Sequence, residues 1–337
     1  MKALQVLITL LVVAGCQAEL GTSDATDVTF AQVCNNLPRE ENARLPLSEA
    51  SDDWFQVYRV SEGVYSITEP FQFQETISHL IVGKDSAVLF DTGIGLLPIR
   101  PVVERITSLP VSVLNSHTHY DHVGGNAEFS SVLAIDSEYT RANMAGFDRS
   151  RLADEFAPDA FCKGPPKGVD ITSFHTPSWK ASRFVEDGEI LDLGGRTLQV
   201  LHVPGHTPDA TALLDAENGL LFTGDTYYDA QLWLFVPETS LDDYERSIAR
   251  LTSIEGEIKY LLGAHNVARV DAGRLGQVET AFHKLRSGEL TGDERSGGRL
   301  EFLIDGVEFL TAQPVLDGDQ GEIAQGGSGL DTWPATL

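Results

Sequence analysis

The stretch His117-Thr118-His119-Tyr120-Asp121-His122 places three imidazoles and one carboxylate within six consecutive residues. It directly follows residues 111–115, an apolar run that predicts a β-strand, and it continues into Gly124-Gly125. Imidazole nitrogen and carboxylate oxygen are ligands that zinc accepts, and a loop after a strand can direct alternate side chains to one point. The stretch therefore predicts a metal site at the end of a strand.

Three further candidate ligands are His206, Asp225 and His265, each just past a predicted strand. They occur in the sequences Gly-His-Thr-Pro, Thr-Gly-Asp and Gly-Ala-His. The glycines and other small neighbours allow the backbone to approach other groups closely. These residues complete a candidate set of histidines and aspartates.

Predicted strands and helices alternate along the body of the chain. Short apolar or alternating runs predict strands at residues 55–60, 64–67, 78–82, 86–90, 111–115, 197–201, 212–215, 219–222 and 258–262. Helical spacing predicts helices at residues 101–106, 241–251 and 271–290. Mixed strands with helices on the outer faces predict a layered α/β domain.

The predicted domain spans residues 51–290. Within it, prolines interrupt the rhythm at residues 149–180, which we interpret as an insertion or lid. Residues 16–50 are polar and lack a period, so they predict a tether. Residues 291–337 predict a C-terminal hairpin followed by a flexible, glycine-rich tail.

Residues 1–15 resemble a bacterial lipoprotein signal peptide. Lys2 precedes an apolar run too short to span a bilayer. The sequence Val13-Ala14-Gly15-Cys16 resembles the cleavage site at which Cys16 becomes the lipidated first residue. We therefore expect a periplasmic protein held to a bacterial membrane through Cys16. Gln17 favours the outer membrane, and an ordinary secretory signal is the alternative.

Removing Cys16 from the three cysteines leaves Cys34 and Cys162. An even pair in an oxidising compartment predicts a Cys34–Cys162 disulfide. Two separately buried thiols are the alternative.

The charge of the chain narrows the range of partners. Fifty acidic residues against 24 basic ones give a net charge of −26. Such a surface repels a phosphate backbone, so we expect no nucleic-acid partner.

The combined motifs resemble the metallo-β-lactamase superfamily. The order His-x-His-x-Asp-His, Gly-His-Thr-Pro, Thr-Gly-Asp and a late histidine carries the resemblance, together with the early Phe90-Asp91-Thr92-Gly93. It extends over about residues 55–290. It implies an αββα four-layer sandwich, a hydrolase activity on a small-molecule substrate and two zinc ions per chain.

The resemblance also implies a role for each candidate. The first zinc would be bound by His117, His119 and His206, the second by Asp121, His122 and His265, with Asp225 bridging the two. Asp91 would orient a ligand imidazole through its other nitrogen, although an Asp-Thr-Gly turn is the alternative. The other histidines, His79, His175, His202 and His283, are expected to be structural or exposed, with His175 in the lid a candidate for substrate contact.

Two zinc ions lower the pKa of a shared water, so the resemblance predicts hydrolysis of an ester, lactone, thioester or amide. β-Lactamase branches usually have Cys or Ser where Asp225 stands, which disfavours a dedicated β-lactamase. The glyoxalase II branch keeps the aspartate but acts on a glutathione thioester, which a periplasmic lipoprotein would rarely meet.

Acyl-homoserine-lactone lactonases keep the aspartate and place a tyrosine three residues later, where this chain has Tyr228. The predicted catalytic residues are Asp121 and Tyr228, whose hydroxyl would donate a hydrogen bond to the developing oxyanion. Residues 232–235 would cover an acyl chain, or form a plain core or edge segment. We favour a zinc-dependent lactonase or esterase. A β-lactamase and a non-catalytic zinc-binding surface lipoprotein are the alternatives.

Overall fold

The computed structural model describes residues 34–153 and 155–318. The strands are β1 (Gln56–Ser61), β2 (Val64–Thr68), β3 (Ile77–Val82), β4 (Ala87–Phe90), β5 (Val111–Leu114), β6 (Val132–Ile135), β7 (Arg183–Val185), β8 (Ile190–Asp192), β9 (Thr197–His202), β10 (Thr211–Asp215), β11 (Leu220–Gly224), β12 (Leu232–Leu234), β13 (Tyr260–Gly263), β14 (Val270–Asp271), β15 (Asp293–Arg295), β16 (Arg299–Ile304) and β17 (Val307–Ala312). The α-helices are α1 (Glu40–Ala43), α2 (Arg100–Ile106), α3 (Tyr120–Val123), α4 (Glu138–Asn143), α5 (Leu241–Ser253), α6 (Arg274–Arg286) and α7 (Gln313–Leu316).

The first sheet has seven strands in the order β1-β2-β3-β4-β5-β6-β7. Strands β1 to β4 are antiparallel, whereas β4 to β7 run parallel. Phe90 pairs with Leu114, so the carboxyl ends of β4 and β5 lie side by side. This register brings the Asp91 turn next to the stretch that begins at Ser116.

The second sheet has six strands in the order β14-β13-β11-β10-β9-β8. Strands β11 and β13 are parallel, and Phe222 pairs with Leu262. Their carboxyl ends therefore lead together into the loops that carry Asp225 and His265. A third sheet, in the order β12-β17-β16-β15, contains the predicted C-terminal hairpin as β16 and β17.

The two large sheets pack face to face, with helices on their outer sides. Phe90 of the first sheet contacts Phe222 of the second, with ring centroids 6.2 Å apart, inside a shared apolar core. Val103 of α2 packs on the outer face of the first sheet. Ile248 of α5 and Phe282 of α6 pack on the outer face of the second sheet. The predicted αββα four-layer sandwich is confirmed.

Helix α5 illustrates how the local sequence determines an element. The Ser240 hydroxyl accepts a hydrogen bond from the Asp243 backbone N–H at 3.2 Å, which satisfies one free donor of the first turn. Leu241, Ile248 and Leu251 lie buried on one face. Helix α6 is shorter than predicted at both ends. Asp271 belongs to β14, so the helix begins only at Arg274. It ends at Arg286, shortly before Gly288, where φ is +71°.

The interpretation of residues 16–50 as a tether is wrong for residues 34–50, which pack against the domain. Cys34 is joined to Cys162 by a disulfide with an S–S distance of 1.97 Å, the pairing expected above. Asn42 is buried, and Leu47 forms a β-bridge with Tyr58. A polar composition does not prevent packing when the polar groups find hydrogen-bond partners on the domain.

The described part of the predicted insertion or lid, residues 149–153 and 155–180, contains irregular backbone and the short 3₁₀ turn Pro158–Ala160. Phe156 and Trp179 are nonetheless buried in the core on the outer side of the first sheet. These residues thus pack onto the domain, whereas His175 is exposed.

Residues 1–33 and 319–337 lie outside the described residues, so the signal peptide, Cys16, the start of the tether and the glycine-rich tail are not observed. Between residues 34 and 318, with residue 154 excepted, no helix combines the length and apolar character needed to cross a bilayer.

Candidate metal centre

The predicted ligands lie on loops and one short helical turn at the carboxyl ends of strands. After β5 the chain passes through Asn115 into helix α3, which carries Asp121 and His122. The Asn115 amide donates to the His122 carbonyl at 2.7 Å, and the Thr92 hydroxyl donates to the same carbonyl at 3.0 Å. These two bonds fix the single turn on which two candidate ligands depend.

The first group of ligands consists of His117, His119 and His206. Nδ1 of His119 lies 2.9 Å from Nε2 of His117 and 3.2 Å from Nε2 of His206. All three ligand atoms lie within 4.8 Å of one another, so one ion could contact them together.

The second group consists of Asp121, His122 and His265. The Asp121 Oδ2 atom lies 3.5 Å from Nε2 of His122 and 3.8 Å from Nε2 of His265. These atoms again fall within 4.8 Å of one another.

The Asp225 carboxylate lies between the two groups. Its Oδ2 atom is 3.5 Å from Nε2 of His206, while Oδ1 is 3.6 Å from Nε2 of His122 and 3.1 Å from Nε2 of His265. The structure therefore brings all seven predicted ligands together.

Close approach at Gly224 makes this placement of Asp225 possible. Gly224 has φ +52°, and a Cβ at this position would lie 2.4 Å from Cβ of Ser116. A larger residue would push β11 away from the loop that begins at Ser116.

The donor set fits a metal ion. Nε2 of His122 and Oδ1 of Asp225 are buried and have no hydrogen-bond partner within the described residues. A buried polar atom without a partner costs about 1–3 kcal/mol, which a coordinated cation would remove. Nitrogen and oxygen ligands without sulfur suit zinc.

Each of three imidazoles uses its outer nitrogen to contact an acceptor outside the cluster. Nδ1 of His122 donates to Asp91 Oδ2 at 3.0 Å, which is the contact expected of Asp91. Nδ1 of His206 donates to a backbone carbonyl at 2.8 Å, and Nδ1 of His265 donates to another at 2.7 Å. These bonds direct the lone pair of Nε2 towards the centre of the site.

The two carbonyls belong to Trp233 and Gln74, and sequence reasoning missed both. A backbone carbonyl is present at every residue, so the sequence contains no signal for such a contact. Trp233 lies in β12, whose neighbours Leu232 and Leu234 are buried in the core. Leu232 and Leu234 therefore belong to the core, and the Trp233 carbonyl between them orients His206.

Asp209 is a further residue that the motif analysis missed. Its buried carboxylate accepts hydrogen bonds from the hydroxyls of Thr118 at 2.6 Å, Thr207 at 2.7 Å and Thr140 at 3.0 Å. Thr118 lies between His117 and His119, on the loop after β5 of the first sheet. Thr207 follows His206, on the loop after β9 of the second sheet. Asp209 thus ties the two ligand loops to each other. The sequence does contain a signal for this role, because Asp209 is a carboxylate directly after the Gly-His-Thr-Pro motif.

Comparison with known proteins decides the family. Residues 76–265, more than half of the chain, match the family model described as the metallo-beta-lactamase superfamily. The chain belongs to the metallo-β-lactamase superfamily. The chicken (Gallus gallus) acyl-coenzyme A thioesterase MBLAC2 is 27% identical over 226 residues, which cover 63% of this chain and 81% of that protein.

Two further similarities agree with this membership. A hydroxyacylglutathione hydrolase of Methylococcus capsulatus is 30% identical over 174 residues, covering 52% of this chain and 55% of that protein. The sec-alkylsulfatase Pisa1 from Pseudomonas sp. superposes with a TM-score of 0.53 at 17% identity, covering 68% of this chain and 42% of that chain. The last similarity supports the fold alone. The family match and the sequence relatives make the chain a superfamily hydrolase.

The electrostatics of the site separate two pairs of imidazoles. Burial and the neighbouring His122 hold the pKa of His117 well below its ordinary value, and burial and His206 lower the pKa of His119 to about 3. Burial alone would lower the pKa of His122 and His265, but the neighbouring carboxylates Asp121 and Asp225 raise it. Burial alone would raise the pKa of Asp225, but the neighbouring histidines hold it below its ordinary value. His117 and His119 are therefore neutral and ready to coordinate a cation, whereas at His122 and His265 a cation would compete with a proton.

The hydroxyl of Tyr228, which is expected to stabilise an oxyanion, forms hydrogen bonds within the chain. Its hydroxyl donates to the Gln231 carbonyl at 2.6 Å and accepts from the Trp233 backbone N–H at 3.2 Å. Its ring lies edge-on to His265, with centroids 5.0 Å apart. The single hydroxyl proton is therefore engaged by the chain, and the Tyr228 ring packs beside the ligands.

The contact between Asp91 and His122 predicts a loss of metal affinity on substitution. Asp91 has φ +68°, a conformation that asparagine tolerates, so Asp91→Asn removes the charge without straining the backbone. We expect zinc affinity to fall about 10- to 100-fold, measured by competition with a chromogenic chelator. The matched control is Asp305→Asn, because Asp305 is exposed and also has positive φ, +52°. Equal affinities for the two variants would contradict a role for Asp91.

Proposed function

We propose that the chain is a binuclear zinc hydrolase that cleaves the acyl bond of a thioester, ester or lactone. The observation that carries the proposal is the position of Asp225. One carboxylate lies within 3.6 Å of imidazole nitrogens of His206, His122 and His265, which belong to the two separate ligand groups. A carboxylate so placed suits a bridge between two ions.

Zinc bound at the two groups would supply an activated water near neutral pH and polarise the acyl carbonyl. The chain's own residues hold the reacting region in place. Asp91 and the carbonyls of Trp233 and Gln74 fix the imidazole orientations. Asp121, predicted to be catalytic, lies buried with its Oδ2 atom facing His122 and His265, where it would hold the second ion.

The acyl class of substrate is supported by the relatives. Their names specify an acyl-coenzyme A and a hydroxyacylglutathione as substrates. A net charge of −26 opposes the approach of a leaving group with several phosphates. We therefore favour acyl thioesters whose leaving group is uncharged. Acyl-homoserine lactones, suggested by the spacing of Tyr228, and β-lactams are the competing substrates to be tested.

The first test compares kcat/KM on four substrates. These are an acyl thioester of N-acetylcysteamine, the coenzyme A thioester and the homoserine lactone of the same acyl chain, and a cephalosporin. We expect the N-acetylcysteamine thioester to exceed the cephalosporin at least a hundredfold, about 2.7 kcal/mol of transition-state binding. The Asp225→Asn variant serves as the control and should lose turnover on all four.

Other outcomes identify other functions. A hundredfold preference for the lactone would establish the lactonase alternative. The same preference for the cephalosporin would establish a β-lactamase. Two bound zinc ions without turnover on any substrate would contradict the proposal and leave a non-catalytic zinc-binding lipoprotein.

The engaged hydroxyl of Tyr228 yields a second prediction. Because its proton is donated to the Gln231 carbonyl, Tyr228→Phe should lower the free energy of unfolding by about 1 kcal/mol. It should change kcat less than threefold, since an oxyanion donor would cost about 10²–10³ in kcat. Steady-state kinetics and urea unfolding on the same preparation separate the two effects. A hundredfold loss of kcat would restore the oxyanion role.

We further propose that the protein is periplasmic and anchored to a membrane through lipidated Cys16. The outer membrane is the favoured location. The support is the sequence of residues 1–16 and the Cys34–Cys162 disulfide, a bond typical of oxidising compartments. Expression in a bacterium with labelled palmitate should yield a labelled chain that begins at Cys16. A Cys16→Ser variant is the control and should stay unlabelled. An unlabelled wild-type protein in the periplasm would indicate an ordinary secretory signal.

A further inference from the structure

The amino-terminal segment (residues 34–44) contacts the chain next to the metal centre. Arg39 donates two hydrogen bonds to the Glu75 carboxylate, from Nε at 2.7 Å and from Nη2 at 2.6 Å. The Glu75 side chain is 4% exposed and that of Arg39 is 30% exposed. A paired, largely buried carboxylate of this kind depends on its cation, because an isolated buried charge is costly.

Asn42 makes a second contact from the same segment. Its amide donates to the Asn266 carbonyl at 2.8 Å and accepts from the Ala268 backbone N–H at 2.9 Å. One buried side chain therefore bridges both sides of the loop that follows His265.

The two contacts meet at His265. Its Nδ1 donates to the carbonyl of Gln74, the residue before Glu75. The Asn266 backbone N–H donates to the Glu75 carbonyl at 3.1 Å, so the two loops are joined directly. Arg39 thus holds Glu75, which follows the Gln74 carbonyl that accepts from His265. Asn42 holds Asn266, which follows His265 itself.

The backbone at Glu75 is strained. Glu75 has φ +44°, in the left-handed region, whereas Asn266 has φ +61°, which asparagine tolerates. The conformation of Glu75 costs of order 1–3 kcal/mol and persists where surrounding contacts hold it. The side chain of Arg39 supplies a contact of that kind.

The segment is fixed at its start as well. Cys34 is bonded to Cys162, whose backbone N–H donates to the Phe71 carbonyl at 2.9 Å. Arg39 and Asn42 both precede residues 76–265, the part of the chain that matches the family model. Their contacts are therefore a feature of this chain outside the matched domain.

We propose that Arg39 and Asn42 are positioning residues of the metal centre, which hold the Gln74 carbonyl and the His265 imidazole in place and thereby set the affinity for the second metal ion. The inference rests on the proposed binuclear function. In physical terms, the segment lowers the number of orientations open to one ligand without touching the ions.

The test is a cobalt(II) titration of the metal-free full chain, followed by the visible absorption of bound cobalt. In Arg39→Gln and Asn42→Ala we expect the second equivalent to bind about 10- to 100-fold more weakly, with the first unchanged. Arg39→Lys, which keeps the charge but loses the two-point geometry, should fall between wild type and Arg39→Gln. The matched control is Arg44→Gln, because Arg44 pairs with exposed Glu40 in the same segment.

A purely structural role predicts a different result, in which both equivalents weaken together and thermal unfolding of the metal-free protein shifts in parallel. That result, or unchanged binding of both equivalents, would overturn the inference. If Asn42→Ala does not fold, Asn42→Asp removes the donor to Asn266 while keeping the acceptor for Ala268, and the same readout applies. A wild-type chain that binds two ions but hydrolyses none of the test substrates would contradict the proposed function, and selective weakening in the variants would still support this inference.

Discussion

The Asp225 carboxylate is the constraint on which the arrangement of the two large sheets depends. It follows β11 in the second sheet, and it faces imidazoles that follow β5, β9 and β13. One buried negative charge can be accommodated there because several nitrogens and, in our proposal, two cations surround it. The ends of strands from both sheets must therefore meet at one edge, and the Phe90–Phe222 contact in the core between the sheets holds them there.

Around the ligands, a second set of contacts converts loops into a rigid site. Asp91 uses one carboxylate oxygen for His122 and the other for the Ser116 backbone N–H at 2.6 Å. Asp209 connects Thr118 to Thr207 across the sheets. Arg39 binds Glu75 in the loop before β3, and Asn42 binds the loop after β13. Ligands on loops would otherwise lose conformational entropy on binding metal, and these contacts remove that freedom before the metal arrives.

The sequence predicted the layered fold and assembled the candidate ligands because both rest on local signals. Each ligand directly follows an apolar strand, so the strand pattern and the ligand pattern support each other. Contacts of other kinds left no such signal. The Gln74 and Trp233 carbonyls are backbone atoms, and the partner of Asn42 lies 224 residues away. For that reason residues 34–50 were interpreted as a tether although they pack on the domain.

Tyr228 shows that spacing predicts the position of a side chain but not the direction of its hydroxyl. The three-residue offset from Asp225 does place the ring beside His265. The direction of the hydroxyl, however, depends on the turn that brings the Gln231 carbonyl within 2.6 Å, and no motif specifies that turn. Spacing along a chain therefore predicts which residues approach a metal centre better than it predicts where their protons point.

The balance of charge inside the centre differs from that of the whole molecule. Two divalent cations would bring four positive charges. Asp121 and Asp225 contribute two negative charges, and Asp91, which contacts His122, contributes a third. The two ions would therefore offset these three carboxylates and a bound hydroxide, so the centre would not share the negative charge of a chain of net charge −26. Negative charge that develops on an acyl oxygen during hydrolysis would be stabilised at the centre, while the surface would repel anionic ligands that compete for the metals. A site of this kind favours substrates that enter neutral and become negative as they react.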